Sequence, residues 1–170
     1  MAFLAGCQGA AAAEFALVLS LLVIPVLNIV DLGIYSYQRM ELDNAGQVAA
    51  KAAWSIVPSC TLPVTVGSNC PTLNGAINTA LHSTPLGSSV TYSKSESYYC
   101  VSSSTSQLVS VASPPSSPPS TCTSVGSPNA APGDYILIAV SYTYRPVFTG
   151  ISVVSLLASP ITSTVWMRLN

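Results

Sequence analysis

Few side chains in this sequence are equipped for acid–base or metal chemistry, and they lie far apart. His82 is the only histidine, and past residue 52 the only carboxylate side chains are Glu96 and Asp134. Metal sites built from histidine and carboxylate, and most acid–base catalysis, lack raw material. A serine hydrolase using His82 and Asp134 has no anchor, because no Gly-x-Ser-x-Gly turn is present to expose a nucleophile. Charged residues make up 6% of the chain, against roughly 25% in typical soluble domains. With 5 basic residues and a net charge of −1, the electrostatic footprint of nucleic-acid binding is absent. The expectation is no enzyme, no metal, no cofactor, no nucleic acid and no small-molecule substrate.

The cysteines carry more information. Cys7 stands apart, whereas Cys60, Cys70, Cys100 and Cys122 follow the apolar N-terminal region and form no CxxC motif, which speaks against zinc. An even number in a charge-poor, loop-rich region predicts two disulfides in an oxidising compartment. Four cysteines allow three connectivities, and sequence alone selects none. Local closure favours Cys60–Cys70 around a Pro/Gly-containing loop and Cys100–Cys122 around a Ser/Pro segment.

These residues must be positioned by a small number of elements. Residues 15–30 read FALVLSLLVIPVLNIV, without a charge, and back to Ala10 the only interruption is Glu14. Residues 10–30 as a helix cover roughly 30 Å, the thickness of a hydrocarbon core. The run is longer than a secretory signal core and no basic residue precedes it, so a retained membrane helix is expected, kinked at Pro25. Helical periodicity continues past Asp31. Leu42, Ala45, Ala49, Ala52 and Ile56 mark one thin face, and Arg39, Asp43, Gln47, Lys51 and Ser55 mark a polar one, with Arg39 and Asp43 as an i,i+4 pair. An alanine-rich seam admits a flat surface such as a sheet.

Strands supply that surface. Ile136, Ile138, Val140, Tyr142 and Tyr144 alternate with Tyr135, Leu137 and Ala139, reading as a central strand covered on both sides. Residues 161–169 alternate as a terminal strand, and 89–100 is a weaker candidate around Val90, Tyr92, Tyr98 and Tyr99. Residues 102–133, with SPPSSPPS at 113–120, are too polar and proline-rich for a core element. The predicted class is α+β: a long N-terminal helix, half transmembrane and half amphipathic, packed on a small antiparallel sheet. The cysteines place the C-terminal domain outside the cytoplasm.

Around Cys7 two patterns overlap. Leu4-Ala5-Gly6-Cys7 matches the lipobox of bacterial lipoproteins. Starting at Gly9, the string GAAAAEFALVLSLLVIPVLNIVDLGIYSYQ resembles the N-terminus of TadE-like minor pilins of the tight-adherence (Tad/Flp) pilus system. VSYTYRPVFTGISVVSLLASPITSTVWMR is similar to the close of that family's domain. The resemblance implies a pilin-like pseudopilin cut by a membrane prepilin peptidase between Gly9 and Ala10. Its uncharged leader, MAFLAGCQG, departs from the basic leaders usual in such proteins. Cleavage would discard Cys7 and leave four cysteines. Glu14 and Phe15 would then guide docking among subunits.

The implied organisation is a leader at 1–9, a transmembrane helix at 10–35 and an amphipathic extension at 36–57. An exported disulfide-bonded β domain follows at 58–170, carrying the loop 102–133. The implied partners are the major pilin, other minor pilins, the prepilin peptidase, the inner-membrane assembly platform and membrane lipid. The implied location is the bacterial inner membrane, crossed once, with incorporation into an extracellular pilus. The alternative is an extracellular adhesin or lipoprotein anchored in the membrane and not polymerised.

Overall fold

The computed structural model describes residues 5–157 and 159–169, with side chains from residue 11 onward. Helix α1 runs Ala5–Ile56 and remains helical through Pro25. The chain divides into two compact units: Met1–Arg39 with Tyr144–Ser159, and Met40–Thr143 with Pro160–Asn170.

The larger unit is built on a four-stranded antiparallel sheet of order β2-β1-β3-β4. Its strands are β1 (Val90–Val101), β2 (Leu108–Ala112), β3 (Gly133–Tyr142) and β4 (Ile161–Arg168). β3 is the strand expected at the centre, paired on both sides, with Ile136, Ile138 and Val140 fully buried. Its opposite face differs from expectation. Tyr135, Leu137 and Ala139 are only half-buried, and that face is roofed by its own aromatic residues, with Tyr99 edge-on to both Tyr135 and Trp166. Tyr144 also departs from the expected strand face, because β3 ends at Tyr142.

The amphipathic part of α1 packs on the buried sheet face mostly through small residues. Leu42, Ala45, Gly46 and Ala49 are buried, and a Cβ at Gly46 would stand 2.9 Å from Val165 Cγ2 and 3.4 Å from Val140 Cγ2. Glycine there sets how closely helix and sheet approach. Further along, Ala53 and Val57 are buried while Ala52 and Ile56 are only partly so. Successive steps of 3.6 residues from Leu42 drift past 52 to 53, so the expected seam is one residue off in its last turns. Arg39, Asp43, Gln47, Lys51 and Ser55 are all exposed.

A second helix, α2 (Leu73–His82), buries Leu73, Ile77 and Leu81. No periodic signal in the sequence analysis above predicts an element there. Within the Ser/Pro-rich stretch, β2 adds an edge strand whose side chains stay largely exposed. It contributes ladder hydrogen bonds to β1 and almost no core.

The smaller unit has opposite polarity. α1 is exposed along residues 11–26, including Leu17 and Leu21, both at 74%. Its polar side chains turn back on the helix: Ser20 Oγ donates to the Ala16 carbonyl at 2.7 Å and Ser36 Oγ to that of Leu32 at 2.9 Å. Such i−4 bonds remove hydroxyls that an apolar solvent would leave unpaired.

Candidate functional site

Asn28 and Asp31 lie three residues apart on α1, hence on one face, and together they hold Tyr144–Ser159. Asn28 works as a two-ended clamp. Its Oδ1 accepts from the Val153 amide at 2.6 Å, and its Nδ2 donates to the Ile151 carbonyl at 3.1 Å and to Ile24 of its own helix at 2.9 Å. Asp31 is fully buried. Its Oδ1 accepts from the Tyr144 hydroxyl at 2.6 Å and the Val147 amide at 2.9 Å. The Tyr144 ring meets Tyr35 edge-on, with centroids 5.2 Å apart. Ser152 also approaches the carboxylate and caps the short 3₁₀ turn Val153–Leu156 by accepting from the Val154 amide at 3.2 Å. In the sequence Asp31 marks the end of the apolar run. A legible signal was present: two groups able to accept hydrogen bonds at i and i+3, just where that run stops.

A second buried polar site lies in the larger unit. Glu96 and Asp134, the two carboxylates left over in the sequence, face the same side of β1 and β3, where Tyr98 pairs with Asp134 in register. Glu96 accepts from the amides of Val64 at 3.2 Å and Thr65 at 2.8 Å, and from the Thr65 hydroxyl at 2.7 Å. It thereby ties the 60–70 loop to the sheet. Burial, then the Glu96 carboxylate that shares a hydrogen bond with it, pushes the Asp134 carboxyl up to about 7, against the Tyr135 amide. A neighbouring like charge and a shared hydrogen bond both favour the protonated form of Asp134. Burial, then Asp134 and Glu96, also pushes the Tyr98 phenol up. Burial pushes the Lys94 ammonium down, with Glu96 opposing. His82 is exposed in the last turn of α2, whereas Asp134 is buried in β3 against Glu96.

Cys60 is joined to Cys70 and Cys100 to Cys122, with Cα atoms 5.0 and 5.7 Å apart. Cys122 is fully buried, which fixes one end of an otherwise polar loop. At the helix start, Glu14 and Phe15 are exposed. Gly9 and Ala10 fall within α1, their side chains outside the described residues, as does that of Cys7. Leu4, the first lipobox position, is also outside the described residues.

α1 is the one helix among the described residues that is long and apolar enough to cross a membrane. Over the same stretch, residues 9–51 match the family model TadE-like protein. This segment is TadE-like. The match takes in Gly9, Ala10, Glu14, Phe15, Asn28 and Asp31, together with the buried alanine seam up to Ala49. The TadE-like segment is consistent with a protein of the Tad pilus system, and its apolar helix with a membrane anchor. No curated protein and no solved structure matches the chain.

Proposed function

We propose that this protein is a structural and assembly component of a Tad/Flp pilus: a minor pilin anchored by α1 in the bacterial inner membrane, with residues 58–170 outside the cytoplasm. The observation that carries the reading is the TadE-like match at residues 9–51, on a helix whose apolar side chains are exposed. The two cysteine pairs support export, since disulfides persist in oxidising compartments. Its partners are the major pilin, other minor pilins and the inner-membrane assembly platform. No catalytic step enters this role.

A prepilin peptidase cuts between Gly9 and Ala10 and frees the amine of Ala10, four residues before Glu14 and so on its helical face. Within a bilayer an unpaired carboxylate is costly, so Glu14 pairs with the amine of a neighbouring subunit and sets docking register. Intact-mass analysis of the membrane form tests processing: 161 residues are expected, 170 minus 9. Retention of the leader overturns cleavage, and a lipid on Cys7 establishes the lipoprotein reading instead. Glu14→Ala is expected to be cleaved yet to lose co-purification with the major pilin. A cleaved variant that co-purifies normally removes the docking role. Non-reducing peptide mapping is expected to recover Cys60 with Cys70 and Cys100 with Cys122.

A further inference from the structure

The loop Tyr144–Ser159 presents water with the wrong side chains. Val147, Ile151, Val153, Leu156 and Leu157 are exposed, Leu156 at 85%. Arg145 is the only charged residue in the loop. The loop is nonetheless not loose: its contacts with Asn28 and Asp31 set its position along α1. Asp31 immediately follows the charge-free run 15–30, and Asn28 lies two residues inside its end, or about 3 Å at the helical rise. If α1 spans a bilayer, the loop is tied at the outer boundary of the hydrocarbon core.

Several of the loop's amides are satisfied locally, as that depth requires. The amides of Val147 and Val153 go to Asp31 and Asn28, and that of Val154 to Ser152 Oγ. Those of Ile151, Ser155 and Leu157 go to carbonyls within the loop. Irregular backbone tolerates an apolar environment only when its polar groups are satisfied in this way. Beside Pro25 a hollow of about 400 Å³ is lined by Ile24, Pro25, Asn28, Ile29, Leu32 and Val153, an almost wholly apolar wall.

We propose that Tyr144–Ser159 is a second membrane contact, an apolar wedge held by Asn28 and Asp31 in the headgroup and upper acyl region of the outer leaflet, with Arg145 toward lipid phosphate. The occupant of the hollow beside Pro25 is an acyl chain. This rests on the reading of α1 as a membrane span. Burial of five apolar side chains outside the helix gives the chain a depth and a rotational setting that a single helix leaves free.

Site-directed spin labelling of the full chain tests it. A Cys7→Ser background takes one added cysteine at a time: Leu156→Cys or Ile151→Cys in the loop, Val18→Cys within the span, Lys51→Cys as an aqueous control. Each is reconstituted at low protein-to-lipid ratio in phosphatidylethanolamine/phosphatidylglycerol vesicles. Relaxation by oxygen, which partitions into lipid, is compared with relaxation by a water-soluble nickel chelate. The expected ratio of oxygen to nickel accessibility is several-fold higher at 156, 151 and 18 than at 51. If 18 is lipid-like while both loop sites match 51, the wedge is wrong and the span stands. Loop labels shielded from both reagents mean protein contact and overturn the lipid assignment. If 18 also matches 51, the span itself fails and takes the wedge with it.

Discussion

The two units solve opposite problems with the same chain. In Met40–Thr143 with Pro160–Asn170, apolar residues lie inside: Ile136, Ile138 and Val140 are at 0% exposure, and the charged face of α1 is outside. In Met1–Arg39 with Tyr144–Ser159, Leu17, Leu21 and Leu156 lie outside, while Asp31 and Ser152 are buried. An ordinary hydrophobic drive explains the first arrangement. It cannot explain the second, in which organisation comes from hydrogen bonds among groups that an apolar surrounding would not solvate. The polarity inversion is consistent with a membrane anchor in the second part. It also separates two kinds of buried carboxylate. Asp31 gathers donors from a loop, whereas Asp134 faces another acid that helps push its carboxyl up.

The sharpest way to break this contrast is to truncate one apolar side chain in each unit. Ile138→Ala should destabilise the sheet by about 2–5 kcal/mol, whereas Leu21→Ala should change it by less than about 0.5 kcal/mol. Urea titrations in micelles, read by Trp166 fluorescence in a Trp54→Phe background, check both, and equal effects would abolish the distinction. Next in size, Asp31→Ala leaves the Tyr144 hydroxyl and the Val147 amide without their acceptor, a loss of about 2 kcal/mol. It should appear as faster hydrogen exchange across 145–157, with the sheet protected as before.

A pH series then probes the acid pair. Between the ordinary aspartate value of 3.8 and the folded value of about 7, native Asp134 keeps a proton that the unfolded chain has released. Stability contributed by that proton is therefore lost as pH rises through this window. The loss should be about 1–2 kcal/mol from pH 5 to 7, and Asp134→Asn should flatten it. Glu96, Lys94 and Tyr98 are neighbouring titratable groups that the variant retains. The smallest effect belongs to the exposed face of α1, where Lys51→Ala should stay within about 0.5 kcal/mol.

Much of this architecture is written in local pattern. The apolar run 15–30, the alternation of Ile136, Ile138 and Val140, and the alternation at 161–169 are periodic signals, and they fall in α1, β3 and β4 (Ile161–Arg168). Periodicity reports which face meets a solvent boundary, and that property needs no distant partner. Signals under one helical turn in resolution fared less well, as the exchange of Ala52 for Ala53 shows. α2 carries a weaker signal, although Leu73, Ile77 and Leu81 recur every four residues. Its neighbours are Ser, Thr, Gly and Asn, whose composition resembles a loop, and its burial decides otherwise.

The contacts that define the two polar sites belong to tertiary structure alone. Asn28 and Asp31 meet their partners across 113 to 125 residues of sequence, and Glu96 reaches Val64 and Thr65 across 32 and 31. No local preference specifies such pairings. Residue type alone could say that a carboxylate near the end of an apolar helix, or one isolated in a charge-poor domain, needs company. Which groups supply it depends on how the chain returns, because a buried charge selects partners by proximity and hydrogen-bond geometry, and both exist only once the chain has folded.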